Sequence, residues 1–143
     1  MEDARAQMAY GLSVCDILKI SDNEIQWFSG KEDYTEGIHM LQQTYQIPFI
    51  LLSMGRDGSR AYYKDMLVEV PAFLQKNTIE TTGAGDTFGA CCLHHILKYG
   101  LDNLTKQQLK EMLTFANAAA SIITTRKGAL RVMPSLEEIQ RLL

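Results

Sequence analysis

The chain has 143 residues, 46% of them apolar and 22% charged, within the range of one ordinary globular domain and outside that of a disordered segment. At this length a fold buries roughly two-thirds of the surface its unfolded chain exposes, so neither disulfides nor a structural metal is required to hold it. Fourteen basic and seventeen acidic residues give a net charge of −3 with no block of either sign, which argues against a polyanion-binding surface; with no basic stripe beside the scattered tyrosines, it argues against a nucleic-acid groove as well.

Met1 is followed by Glu2, Asp3 and Ala4, not by a basic and then an apolar region, so no signal peptide is expected and the cytoplasm is the default compartment. Glu2 to Leu12 is rich in Ala, Met and Gln and reads as a helix, with Gly11 as its expected stop. Cys15 to Ile20 is short and mostly apolar, as in a buried strand. Asp22 is the expected N-cap of a short helix through Phe28 that Gly30 ends, and Tyr34 to Tyr45 carries Ile38, Leu41 and Tyr45 at helical spacing. Pro48 to Ser53 is nearly unbroken in its apolarity, which predicts burial on both faces in a parallel sheet covered by helices. The longest apolar stretch, Ile47 to Leu52, holds Pro48 and is far short of the ~20 residues that span a bilayer.

Gly55 and Gly58 punctuate a turn, after which Arg60–Tyr63 and Met66–Val70 flank Lys64-Asp65 as a hairpin at the sheet edge, in a turn without its usual glycine. Lys76 to Thr78 is the one stretch that resembles a linker. A loop through Glu80 to Asp86 leads into an apolar helix from Thr87 to Leu97 that stops at Tyr99-Gly100. Thr105 caps an Ala-rich helix to Ile123, and Pro134-Ser135 opens a last helix with Glu137 and Glu138 in its first turn. The order of elements predicts one α/β domain with helices on both faces of a sheet. Cys15 and the adjacent Cys91 and Cys92 suit neither a disulfide framework nor a zinc site, and read as reduced core thiols. His39, His94 and His95 lack ligand partners at metal-binding spacing, and Trp27 and Phe28 read as packing.

The chemistry concentrates in Thr81-Thr82-Gly83-Ala84-Gly85-Asp86-Thr87-Phe88-Gly89. Glycines where a loop meets a helix let the backbone approach a ligand, and the free amides of a helix N-terminus form a positive site that suits phosphate. Two roles are open for Asp86 in that place. It is either a helix cap or a general base for a hydroxyl that attacks the phosphate. A Walker A loop is excluded because Gly30-Lys31 is followed by Glu32. The dinucleotide fingerprint fails because Gly89 falls one place late and no strand precedes it directly.

Glu80 to Asp86, continued by Thr87-Phe88, resembles the Asp-Thr-x-Gly-Ala-Gly-Asp signature of the ribokinase-like (PfkB) carbohydrate and nucleoside kinases. The resemblance runs through Asp16-Ile17-Leu18-Lys19, Ser21-x-x-Glu24, Ser53-x-Gly55-x-x-Gly58, Phe115 to Ala120 and Thr125 to Ala129. It covers the C-terminal half of the family pattern, with wording most similar to the bacterial fructokinases. What it implies is a three-layer α/β/α sandwich, here its C-terminal portion over residues 1–143, that transfers the γ-phosphoryl of ATP to a sugar with Mg²⁺. By the same resemblance Asp86 is the catalytic base and the amides of Gly83, Ala84 and Gly85 are the anion hole. Ser21, Ser53, Gly55, Gly58, Gly85 and Asn117 fall on nucleotide-binding positions, and Glu24 on one that organises magnesium through water. Glu80 and the carbonyls of Thr82, Ile123, Arg126 and Gly128 fall on a monovalent-cation site that takes K⁺, with Val132 where a hydroxyl serves in other members. Arg126 and Lys127 are candidates to face the phosphates. Ser21 stands for the family's asparagine and Glu80 for its first aspartate; both departures favour an alternative, a nucleotide-binding module of the same fold that has lost catalysis. Ribose and 2-keto-3-deoxygluconate are alternative acceptors. The resemblance also implies that the N-terminal half supplies most sugar contacts, and that the uncovered edge of this portion pairs with that half or with another copy.

Overall fold

The computed structural model describes residues 2–143. Its elements are α1 (Glu2–Val14), β1 (Ile17–Ser21), α2 (Asp22–Ser29), α3 (Tyr34–Tyr45), β2 (Phe49–Ser53), β3 (Ser59–Tyr63), β4 (Met66–Val70), α4 (Ala84–Tyr99), α5 (Lys106–Ile123) and α6 (Leu136–Leu142). Short 3₁₀ turns lie at Gly55–Asp57 and Leu130–Val132.

The four strands form one sheet in the order β1-β2-β3-β4. β1 and β2 are parallel, with Ile17 opposite Phe49 and Ser21 opposite Ser53. β2 and β3, and β3 and β4, are antiparallel. The expected parallel sheet is thus a mixed one, because the hairpin joins β2 at its free side. The apolar run of β2 is buried on both faces as expected: Phe49, Ile50 and Leu52 are fully buried and Leu51 nearly so. Strand alternation then splits the core in two. Phe49, Leu51, Ala61, Tyr63, Val68 and Val70 pack against Phe88, Cys92 and Ile96 of α4 and Leu109, Met112 and Leu113 of α5. Ile20, Ile50, Leu52 and Tyr62 pack against Leu12, Ile25, Ile38 and Leu41 from α1, α2 and α3. These are the three layers of the expected sandwich.

Several boundaries differ from the sequence reading for identifiable reasons. Gly11 does not stop α1. It lacks a left-handed backbone, and the helix continues to Val14 because an interior glycine costs only about 1 kcal/mol and Leu12 beside it is buried. Ser21, not Asp22, caps α2: its hydroxyl accepts the Glu24 amide at 3.3 Å, and its own amide donates to Glu24 Oε2 at 2.7 Å. Gly30 ends the helix at φ +71°, as expected. The hairpin turn places Lys64 at φ +52° without glycine. Tertiary bonds hold it there: its amide donates to the Pro48 carbonyl at 3.2 Å, and its ammonium to the Asp102 carbonyl. Thr105 with Gln108, and Ser135 with Glu138, form capping boxes on α5 and α6. No helix among the described residues is long and apolar enough to cross a membrane.

Gly58 shows how tightly the hairpin's exit is built. At φ +100°, a Cβ added there would lie 2.1 Å from the Val70 carbonyl oxygen and 2.8 Å from Pro71 Cα. Gly55, at φ +53°, has open space around it. Gly58→Ala is therefore expected to destabilise the fold by about 3 kcal/mol or more, strain and backbone overlap acting together, and Gly55→Ala by about 1 kcal/mol. Urea denaturation midpoints of the two variants measure the difference, and equal midpoints would contradict it.

Candidate active site

The glycine loop enters α4 earlier than the sequence suggested. Gly83, at φ +78°, is the N-cap residue, so Ala84, Gly85 and Asp86 form the first turn and Thr87 donates to the Gly83 carbonyl at 2.9 Å. Gly83 is the glycine whose backbone is left-handed; Gly85 has no positive φ. Ala84 differs from its expected role, because its amide donates to the Thr81 carbonyl at 3.1 Å and is not free for an anion. The amides of Gly83, Gly85 and Asp86 have no acceptor among the described residues. Gly83 is wedged against Ile123 and Ala129, each 3.2 Å from where its Cβ would stand, which fixes the start of the helix against the end of α5.

Asp86 is exposed and its carboxylate makes no hydrogen bond or ion pair with the described residues. Gly83 caps the helix without any side-chain bond, so the capping reading of Asp86 does not hold. Its carboxylate has no partner among the described residues.

Beside this turn stands a residue that the sequence reading quoted without a role. Lys19 alternates with Leu18 and Ile20 along β1, so it shares the α4-facing side with Ile17. Its Nζ lies 3.1 Å from where a Gly85 Cβ would be. A cation at the positive end of a helix is unfavourable unless an anion lies between them. Lys19 forms no ion pair within 4 Å among the described residues. An ammonium and unpaired helix amides converging in one place make an anion site. The signal available in the sequence was a lysine at an inward position of an otherwise apolar strand.

From that turn a cavity of about 520 Å³ opens along the C-terminal ends of β1 and β2, the usual place for a ligand in a parallel pair. Of the expected nucleotide-binding residues, Ser21, Ser53, Gly55, Gly58, Gly85 and Asn117 all line it, with Lys19 and Ala84. Gly83, Asp86, Glu24, Glu80, Thr82, Ile123, Arg126 and Gly128 do not. Of the linker-like Lys76 to Thr78, Thr78 lines the cavity; the segment before it, Ala72 to Gln75, does so together with α5. Asn117 is buried, and its Nδ2 donates to the carbonyls of Val70 at 3.2 Å and Pro71 at 3.1 Å, so its amide ties the end of β4 to α5. Gly58 also has a structural need to be glycine, since a Cβ there would overlap the backbone of Val70 and Pro71.

Glu24 and Ser21 are bound to each other in the capping box. Burial pushes the Glu24 carboxyl up, but hydrogen bonds from Ser21 and the charge of Lys19 outweigh it and hold the group below its ordinary value. No cluster of three or more His, Cys, Asp or Glu suits a metal among the described residues. A magnesium ion here would rely on nucleotide phosphates and one carboxylate, its common arrangement in phosphoryl-transfer sites.

A second loop closes over the entry to α4. Ile79 and Glu80 both donate through their amides to the Thr124 carbonyl, at 2.8 and 3.3 Å, and Glu80 Oε1 accepts the Gly128 amide at 2.6 Å. The Ile123 carbonyl accepts the Arg126 amide at 3.0 Å. Two of the groups expected around a monovalent cation are therefore already hydrogen-bonded within the protein. The Arg126 guanidinium donates to the Val132 carbonyl at 3.0 Å and pairs with Glu138. It is turned toward α6 and does not face the cavity. The Ser135 amide and then Arg126 hold the Glu138 carboxyl below its usual range.

Comparison with known proteins matches residues 1–136 to the pfkB family carbohydrate kinase model. Fructokinase-1 of Zea mays is 31% identical over 142 residues, covering 99% of this chain and 44% of the relative. The fructokinase of Klebsiella pneumoniae is 32% identical over 141 residues, covering 98% of this chain and 45% of the relative. The crystal structure of Vibrio cholerae O395 fructokinase with fructose, ADP and calcium ion superposes with a TM-score of 0.89 at 25% identity, over 99% of this chain and 45% of that one. The aminoimidazole riboside kinase of Salmonella enterica, at 23% identity, shares the fold with a TM-score of 0.85. The chain thus spans under half the length of the relatives it matches. With its fold, its Gly-Ala-Gly-Asp helix entry and this match over nearly its whole length, the chain belongs to the pfkB family of carbohydrate kinases, of ribokinase-like fold.

Proposed function

We propose that residues 1–143 are the C-terminal, nucleotide-binding and catalytic part of a longer ATP-dependent sugar kinase that converts fructose to fructose 6-phosphate. The observation that carries this reading is the Lys19 ammonium beside the unpaired amides at the start of α4. Such an arrangement is matched by the charge of a phosphoryl group in transfer. The likeness to fructokinases of plants and bacteria supports the choice of acceptor.

In this mechanism the cavity along β1 and β2 holds ATP, with its phosphates toward Lys19 and Gly85. Asp86 takes the proton from the 6-hydroxyl as that oxygen attacks the γ-phosphorus. Lys19 and the amides of Gly83 and Gly85 offset the charge that builds on the phosphoryl oxygens. Mg²⁺ neutralises the polyphosphate when bound, and Glu24 is the carboxylate that would hold it through water. Glu80, through its second oxygen, and the carbonyls of Thr82, Ile123, Arg126 and Gly128 would hold a monovalent cation such as K⁺. The protein acts in the cytoplasm on this reading.

The second reading is a nucleotide-binding module that does not turn over. The engagement of Ser21 with Glu24 in the α2 cap favours it, since two expected phosphate and magnesium contacts serve a local bond. ADP release measured with the full-length protein over fructose, ribose and 2-keto-3-deoxygluconate separates the two. Turnover with fructose as the best acceptor is expected, and nucleotide binding without turnover on any sugar would establish the second reading.

Three variants or forms test the parts. Asp86→Asn in the full-length protein is expected to lower kcat at least ~10²-fold while leaving ADP affinity unchanged; retained turnover would remove Asp86 from the base role. Gly85→Val places a branched side chain against Lys19 and the free amides, and is expected to abolish ADP binding in titration calorimetry. Unchanged affinity would move the phosphates elsewhere. The isolated 143 residues are expected to show no fructose phosphorylation, because β1 ends the sheet with one side unpaired and Leu93 and Leu97 on α4 are exposed where the N-terminal half, or failing it a second copy, would pack. Activity from this chain alone would overturn that division of labour.

A further inference from the structure

The cavity wall formed by the loop after β4 and by α5 carries Phe73, Leu74 and Ala120, and among its polar residues Gln75 and Ser121 form a pair. Gln75 Nε2 and Ser121 Oγ are 3.2 Å apart. Ser121 Oγ is also 2.8 Å from the Ala118 carbonyl oxygen. A carbonyl oxygen only accepts, so the serine proton lies on that bond and the serine oxygen faces Gln75 as an acceptor. Gln75 must then present its NH₂ group to Ser121. The network thereby determines the orientation of an amide that could otherwise stand either way. Gln75 Oε1 is left with no protein donor among the described residues. Ser121 is buried and held within α5, so it fixes its partner from a rigid element.

We propose that Gln75, oriented by Ser121, selects the base of the bound nucleotide and favours adenine over guanine. This rests on the nucleotide reading of the cavity, in which phosphates at Lys19 leave the apolar wall around Phe73 for the base. Adenine offers an amino group at C6, which donates to a free carbonyl oxygen. Guanine offers an oxygen there, which sets acceptor against acceptor. To receive guanine the Gln75 amide must turn over, which removes its N–H from Ser121 and requires the serine proton to leave Ala118. A ligand that leaves buried polar groups unpaired is rejected more strongly than one that merely fits less well.

The test is calorimetric titration of ADP and of GDP into the full-length protein and two variants. ADP is expected to bind about tenfold or more tightly than GDP, one well-made hydrogen bond being of that order. Ser121→Ala frees the amide to turn, and should bring the ratio close to one chiefly by strengthening GDP binding. Gln75→Leu should reach a similar ratio by weakening ADP. The Ser121 effect is the discriminating one, because a side chain that only supported the wall would weaken both nucleotides together. Thermal melting identifies any variant that loses its fold, and Gln75→Leu, in a loop, carries the test should Ser121→Ala do so. A wild-type ratio near one, or variants with the wild-type ratio, overturns base selection by this pair while leaving nucleotide binding in place. If the wild type binds neither nucleotide, the reading of the cavity fails and this inference with it.

Discussion

Strand β2 carries apolar side chains on both faces, and removing both from water requires a helical layer on each side of the sheet. Phe49 and Leu51 look toward α4 and α5, and Ile50 and Leu52 toward α1, α2 and α3. Two layers of helix around a central strand leave the C-terminal ends of β1 and β2 uncovered. The cavity forms there, between those ends, the start of α4 and the loop after β4. The position of the site is in this sense a consequence of how β2 is buried.

Within that frame the site is organised by which groups the protein has already paired. Asn117 holds the exit of β4, Ser21 and Glu24 hold the start of α2, and Glu80 holds the Gly128 loop against the α4 entry. Arg126, which sequence position alone would aim at phosphates, is tied to Val132 and Glu138. Around the glycine turn, the groups without a partner among the described residues include the Lys19 ammonium, three amides and the Asp86 carboxylate. Unpaired groups gathered at one place are where a ligand's free energy is to be gained. Their signs fit a phosphoryl group beside a proton acceptor, consistent with membership of a kinase family.

Glycine illustrates how far local reading reaches. Gly30 and Gly100 end helices at positive φ, as their places after apolar periodic runs suggested, whereas Gly11 in a similar place does not. The difference lies in Leu12, one residue on, whose burial continues the helix. Gly58 resembled a ligand-approach glycine in the sequence, yet its lack of Cβ makes room for the carbonyl of Val70. Lys64 adopts a conformation its residue type disfavours because Pro48 and Asp102, distant in sequence, hold it.

The sequence by itself determined the elements, the two-sided burial of β2, the edge hairpin and the family, because periodicity, capping residues and a contiguous glycine signature are local properties of the chain. Only the tertiary structure decided that Lys19 meets the α4 entry, that Ala72 to Gln75 and Thr78 line a cavity and that Arg126 turns away. It also decided that Ala84 is not a free donor and that Gln75 meets Ser121. Apart from Ala84 and Arg126, held by close neighbours, these join residues tens of positions apart, and a contact of that kind depends on strand register and layer packing, which no window of sequence encodes.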